Sequence, residues 1–180
     1  KTFLFLLLFF NITIYCFGQN QSSRFKFINI NYGLSQSFVH ALEKDSSDFV
    51  WAGTQNGLNR FDGYQFKQYH KRKEDSTSLS GSYIWTLHTD KNGLNWIGTT
   101  NGISCYDPKT DRFTRYQIPG NEPKHKIIRS IHVLNKDNVL IGTAKGAFLL
   151  NPVTNEFQLL QTHNNLELLN TIIYSFTELN

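Results

Sequence analysis

One twelve-residue pattern occurs three times in this chain, and the spacing between its copies constrains the fold more than any other feature. It reads Trp51-Ala52-Gly53-Thr54-Gln55-Asn56-Gly57-Leu58-Asn59-Arg60-Phe61-Asp62, then Trp96-Ile97-Gly98-Thr99-Thr100-Asn101-Gly102-Ile103-Ser104-Cys105-Tyr106-Asp107, then Leu140-Ile141-Gly142-Thr143-Ala144-Lys145-Gly146-Ala147-Phe148-Leu149-Leu150-Asn151. Gly98 follows Gly53 by 45 positions, and Gly142 follows Gly98 by 44. A fixed period of that size marks a repeat whose copies bury their apolar faces on one another.

Each copy sits within a run of four short strand signals. The first strand is expected over 38–44, 83–89 and 127–133, with Val39, Ile84 and Ile128 in register. The second leads into the Gly-Thr pair, the third is 58–61 and its equivalents, and the fourth carries Phe66-x-x-Tyr69, Phe113-x-x-Tyr116 or Phe157-x-x-Leu160. Turn chemistry falls between them. Asp90-Lys91-Asn92-Gly93 and Lys136-Asp137-Asn138 join first to second strands, Asn56-Gly57 and Asn101-Gly102 are hairpin signals, and Asp107-Pro108 and Asn151-Pro152 open the turns into the fourth strands.

A repeated four-stranded unit of this length, rich in aromatic and glycine positions, describes a β-propeller blade. The expected fold is therefore all-β: three blades over about 34–70, 79–117 and 124–161, with strands of two incomplete blades at 24–30 and 168–180. Trp51, Trp96 and Leu140 should pack between blades, and Gly53, Gly98 and Gly142 should clear space where sheets approach. Ile172 lies 44 positions after Ile128 and is read as the first-strand anchor of a fourth blade. Three blades do not close a ring, so the segment at 24–30 is expected to pair with the last blade of a longer parent protein.

Residues 1–18 combine Lys1 with the apolar runs 3–10 and 12–17 and end on Cys16-Phe17-Gly18, which reads as a secretory signal peptide cleaved before Gln19. Retention as an anchor, or acylation at Cys16, are the alternatives. The chain opens on Lys1 rather than Met, which also leads us to expect a longer parent. Two cysteines give no disulfide framework, and Cys105 stands where the other repeats carry Arg60 and Leu149, as a structural thiol would. Net charge is +4, and the most basic run, His70-Lys71-Arg72-Lys73, is followed at once by Glu74 and Asp75. That pattern reads as a solvated loop, and no nucleic acid partner is expected.

The repeat Asp90-x-x-Gly93-x-x-Trp96-x-Gly98-Thr99-x-x-Gly102-Ile103-x-x-Tyr106-Asp107 resembles the two-component regulator propeller repeat, found in periplasmic sensor regions of hybrid two-component systems of Bacteroides-like bacteria. Gly33-Leu34-Ser35-x-x-x-Val39-x-x-Leu42-x-x-Asp45 resembles the start of the first such propeller. The third repeat departs most, with Leu134 for Asp90, Asp137 for Gly93 and Leu140 for Trp96. The resemblance implies a pair of seven-bladed propellers, a β-sandwich domain, one membrane helix, and kinase, receiver and DNA-binding modules. It further implies a dimer that senses oligosaccharides released from dietary or host glycans and switches on the genes that degrade them.

Two sets of equivalent positions carry candidate chemistry. Glu43, His88 and His132 lie ten residues before the second-strand glycines. Such a set could approach a metal, but polar side chains at strand ends commonly meet solvent or turn backbone, and neither metal nor cofactor is expected. His40, Trp85 and Arg129 lie thirteen residues before the same glycines, near the ends fed by loops 71–82 and 120–126. Trp offers a face to a pyranose ring and Arg a bidentate fork to a carboxylate or sulfate, so these three, with Tyr83, are the candidate ligand contacts. Propeller ligands usually bind at that rim. No nucleophile–base pair or facing carboxylates stand out, so no catalytic residue is assigned. A secreted glycan hydrolase or lyase and a protein-binding scaffold are the competing readings.

Overall fold

The computed structural model describes residues 27–160 and 171–177. The expected signal peptide and linker lie outside the described residues. Three four-stranded antiparallel sheets are present, each a meander of strands consecutive in sequence. The first holds β1 (Val39–Lys44), β2 (Val50–Thr54), β3 (Gly57–Phe61) and β4 (Phe66–Tyr69). The second holds β5 (Ile84–Thr89), β6 (Asn95–Thr99), β7 (Gly102–Asp107) and β8 (Arg112–Tyr116). The third holds β9 (Ile128–Asn135), β10 (Asn138–Thr143), β11 (Ala147–Asn151) and β12 (Glu156–Leu159).

Side-chain hydrogen bonds explain why the repeated residues recur. Thr54, Thr99 and Thr143 are fully buried, and each hydroxyl donates to the carbonyl of the glycine three residues on, at 2.9, 2.8 and 2.8 Å. Each also accepts the amide two residues on, from Asn56, Asn101 or Lys145. The loop of the first hairpin is Gln55-Asn56, and Gly57 opens β3 at φ +109°, a region that side-chain-bearing residues avoid. The Asn-Gly pair thus marks the exit of the loop and not its centre.

The turn before the second strand is built around an aspartate. Asp45 Oδ1 accepts the amides of Ser47 and Phe49, while its Oδ2 accepts the Trp51 indole N–H at 2.7 Å. Asp90 repeats the arrangement with Asn92, Leu94 and Trp96. In the third sheet Leu134 stands at the aligned position, but the role moves to Asn135, which accepts the Asp137 amide at 2.9 Å. The β9–β10 ladder shifts register there and leaves Leu134 44% exposed.

The sheets stack face to face. Trp51, Leu58 and Tyr69 meet Leu79, Ile84, Ile97, Tyr106 and Phe113 between the first and second. Trp96, Ile103, Cys105 and Tyr116 meet Ile128, Ile131, Ile141 and Leu150 between the second and third. Each large side chain so buried contributes about 1.5–3 kcal/mol. A Cβ on Gly53 would lie 2.5 Å from Ile84 Cγ2, and one on Gly98 would lie 2.8 Å from Ile128 Cγ2. The glycines therefore let first strands β1, β5 and β9 lie beside one another. Farther out, Lys67 Nζ donates to both oxygens of Asp111, which also accepts the Tyr106 hydroxyl at 2.8 Å, buckling β4 to the turn before β8.

Residues 171–177 form no strand, but their contacts continue the repeat with a register correction. A Cβ on Gly142 would lie 2.8 Å from Ile173 Cγ2, as on Gly53 from Ile84, and Gly146 N donates to Thr171 O as Gly57 N donates to Ser82 O. Ile173, not Ile172, is thus the counterpart of Ile84 and Ile128. Sequence spacing misplaced it by one because the second repeat is one residue shorter than the step from Gly142 requires. Residues 168–170 and 178–180 of that expected strand lie outside the described residues. Of the expected closing strand, 24–26 do too; Phe27 to Asn29 form no ladder, and Ile30–Tyr32 coil into a 3-10 turn capped by the Asn29 side chain. A strand exists only against a neighbour, and none of the three sheets offers one there.

Candidate functional site

The first strand of every sheet carries one extra residue at the same place. Val39 pairs with Thr54 and Ala41 with Gly53, so His40 is skipped by the ladder. Trp85 is skipped between Ile84 and Thr86, and Arg129 between Ile128 and Ser130. A bulge of this kind re-aims the unpaired side chain and sharpens the local twist. All three candidate positions are therefore bulge residues on adjacent strands.

The structure brings these residues together with Tyr83. The His40 ring centroid lies 4.7 Å from that of Trp85 and 4.9 Å from that of Tyr83. Tyr83 and Trp85 stack at 4.4 Å, and the Arg129 guanidinium carbon stands 3.6 Å over the Trp85 ring. Phe38, 57% exposed, extends the row to a ring centroid 4.8 Å from His40. Gln55 Nε2 donates to the Tyr83 hydroxyl at 3.3 Å. Among the described residues, three buried nitrogens of the row, His40 Nε2, Trp85 Nε1 and Arg129 Nε, have no hydrogen-bond partner. Buried polar atoms are nearly always satisfied, so these three stand out as exceptions at equivalent bulges.

Loops 71–82 and 120–126 enter at this end. Ser80 Oγ lies 3.1 Å from Thr99 Oγ1, and the carbonyls of Tyr83 and Ile127 accept the amides of Thr100 and Ala144. Arg115 fastens the first loop by donating to the carbonyls of Asp75 and Ser78 at 2.6 and 2.7 Å. Sequence reasoning missed Phe38 and Tyr174. With Ile173 in the seat of Ile128, Tyr174 takes the place of Arg129 in the next repeat and is 68% exposed. Ser82 and Thr171, each two residues before its anchoring isoleucine, were the available signal.

Glu43, His88 and His132 mark the other end of the first strands. Glu43 Oε1 accepts the Thr89 amide at 3.0 Å, a tie between neighbouring sheets. The His88 and His132 rings lie 5.9 Å apart at a 660 Å³ cleft that Lys91 and Lys136 also line. Burial holds the His88 imidazole below its ordinary pKa. No group of three or more His, Cys, Asp or Glu among the described residues could hold a metal ion. Cys105 is buried, and burial pushes its thiol up to about 12, away from nucleophile chemistry.

Meandering four-stranded sheets stacked face to face, with their first strands side by side, are blades of a β-propeller. The extracellular domain of a hybrid two-component system from Bacteroides thetaiotaomicron is similar at a TM-score of 0.73 and 26% identity, covering 84% of this chain and 22% of its own. A second such domain from that organism gives 0.66 and 25%, over 82% and 22%. Histidine kinase P4 of Formosa agariphila is 43% identical over 74 residues, which are 41% of this chain and 5% of that protein. By these likenesses the chain is similar to extracellular domains of hybrid two-component systems, and it spans about a fifth of their length. Virginiamycin B lyase of Staphylococcus aureus shares the fold alone, at 14% identity and a TM-score of 0.54 over 71% and 42% of the two chains. No protein-family model matches the chain.

Proposed function

We propose that this chain supplies blades to the ligand-sensing propeller of a hybrid two-component sensor, exported to the periplasmic side of the membrane, and that the ligand is an oligosaccharide. The observation that carries this reading is the row of His40, Tyr83, Trp85 and Arg129, which joins stacked rings to unpartnered nitrogens at one rim. The exposed ring of Phe38 at the end of the row suits the apolar face of a pyranose ring, and the Arg129 guanidinium edge suits its oxygens. The parent protein, acting as a homodimer with a kinase beyond this chain, would switch on genes for glycan use. A ligand moves such an equilibrium only by binding two arrangements of the dimer unequally. No catalytic step is assigned here, since Asp45, Asp90, Asp107 and Asp111 serve turns and interblade ties.

Calorimetry of the parent protein with a panel of oligosaccharides tests this reading. Trp85→Ala and Arg129→Ala should each weaken the saccharide that binds by roughly tenfold or more. Unchanged affinity in both variants removes the rim.

A further inference from the structure

We infer that the saccharide taken at this rim is acidic, carrying a carboxylate or sulfate that sits at Arg129, with Tyr174 completing its surroundings; the inference rests on the saccharide reading above. Hydrogen-bond polarity is the first reason. Trp85 Nε1 and Arg129 Nε are donors only, and His40 Nε2 donates in one of its tautomers. The row holds no carboxylate, and among the described residues no ion pair engages Arg129. A row of unmet donors selects a ligand group rich in acceptors. Each neutral hydroxyl brings a donor of its own along with its two lone pairs, whereas an oxyanion brings acceptors alone.

The placement of the guanidinium is the second reason. Its carbon stands 3.6 Å over the Trp85 ring, so one flat face is already covered. What Arg129 has left for a ligand is its N–H edge, which matches two oxygens of a carboxylate or sulfate bidentately. Among the described residues this half-buried cation has the Trp85 ring beside it and no ion-pair partner, where a counter-charge would be favourable. The position in the next repeat is Tyr174, whose largely exposed ring and hydroxyl add a further wall and donor. From Phe38 through Tyr174, the residues at these first-strand positions include no acidic side chain.

Calorimetry of the full protein with oligogalacturonates, their methyl esters, κ-carrageenan oligosaccharides and cello-oligosaccharides of matched length tests the inference. At least one acidic probe should bind roughly tenfold or more tighter than the neutral one, and the galacturonate and carrageenan arms tell carboxylate from sulfate. Its affinity should fall as sodium chloride rises. Arg129→Gln should weaken the acidic probe by tenfold or more, Arg129→Lys less, and Tyr174→Ala severalfold. If cello-oligosaccharide or the methyl ester binds as well as the acids, or the wild-type affinity ignores salt, the inference is overturned while the saccharide reading stands. Binding of none of the probes removes both. The salt series needs no variant, so a misfolded Arg129→Gln protein leaves the test intact.

Discussion

Ile84 sits directly on the bare backbone of Gly53 in the neighbouring blade, its Cγ2 2.5 Å from where a Cβ would stand. Gly53→Ala therefore forces the two sheets apart, and a loss of about 1–3 kcal/mol is expected from overpacking. Guanidinium denaturation should show it as a lowered midpoint. Adding Ile84→Ala should cost less than the sum of the two single changes, because the clash and the contact are one interaction.

Asp45 accepts two backbone amides and the Trp51 indole. Asp45→Ala strands all three donors, one of them on a side chain only 1% exposed, and should cost about 2–3 kcal/mol. Asp45→Asn keeps the Oδ1 bonds but turns an amide toward the indole, so a smaller loss is expected. Tryptophan fluorescence during unfolding reads both.

Acid should loosen the buckle between the first two blades. Lys67, hydrogen-bonded to both oxygens, holds the Asp111 carboxyl below its usual range, helped by the Tyr106 hydroxyl. The folded chain then binds this proton less readily than the unfolded one, so the stabilisation is present above about pH 4 and lost as pH falls through the depressed value. With the two side chains 45% and 54% exposed, the contribution is under about 1 kcal/mol. Melting temperatures at pH 5.5 and 3 should differ less in Asp111→Asn than in the wild type.

Cys105 should resist alkylation at pH 8 while the chain is folded, since its thiol is pushed up to about 12 by burial. Peptide-resolved mass spectrometry should find it modified only in denaturant. Rapid labelling in native buffer would show that the interface between the second and third blades opens.

Much of this architecture was legible because a blade repeats its own instructions. Thr54, Thr99 and Thr143 share one hydroxyl-to-turn geometry, so identity at that position reported a common hairpin. Two other features were not legible. The role of Asp90 passed to Asn135 and not to the aligned Leu134, because one bulge moved the turn without changing the count. Likewise Ile172 and Ile173 are equally apolar, and only their seating on Gly142 distinguishes them. His40, Trp85 and Arg129 were singled out by equivalence, yet nothing in their side chains announced a bulge, which is a property of how two strands keep step. Tyr174 escaped with that one-residue slip, and Phe38 because it precedes the first paired residue of β1.

A residue left out of the ladder owes nothing to its partner strand. His40, Trp85 and Arg129 differ in size, charge and shape, yet the sheets around them keep the same register on either side. Replacement at such a position changes the chemistry of the rim without disturbing the scaffold that holds it. Each blade so offers one interchangeable tooth, and a new specificity could be assembled a single codon at a time.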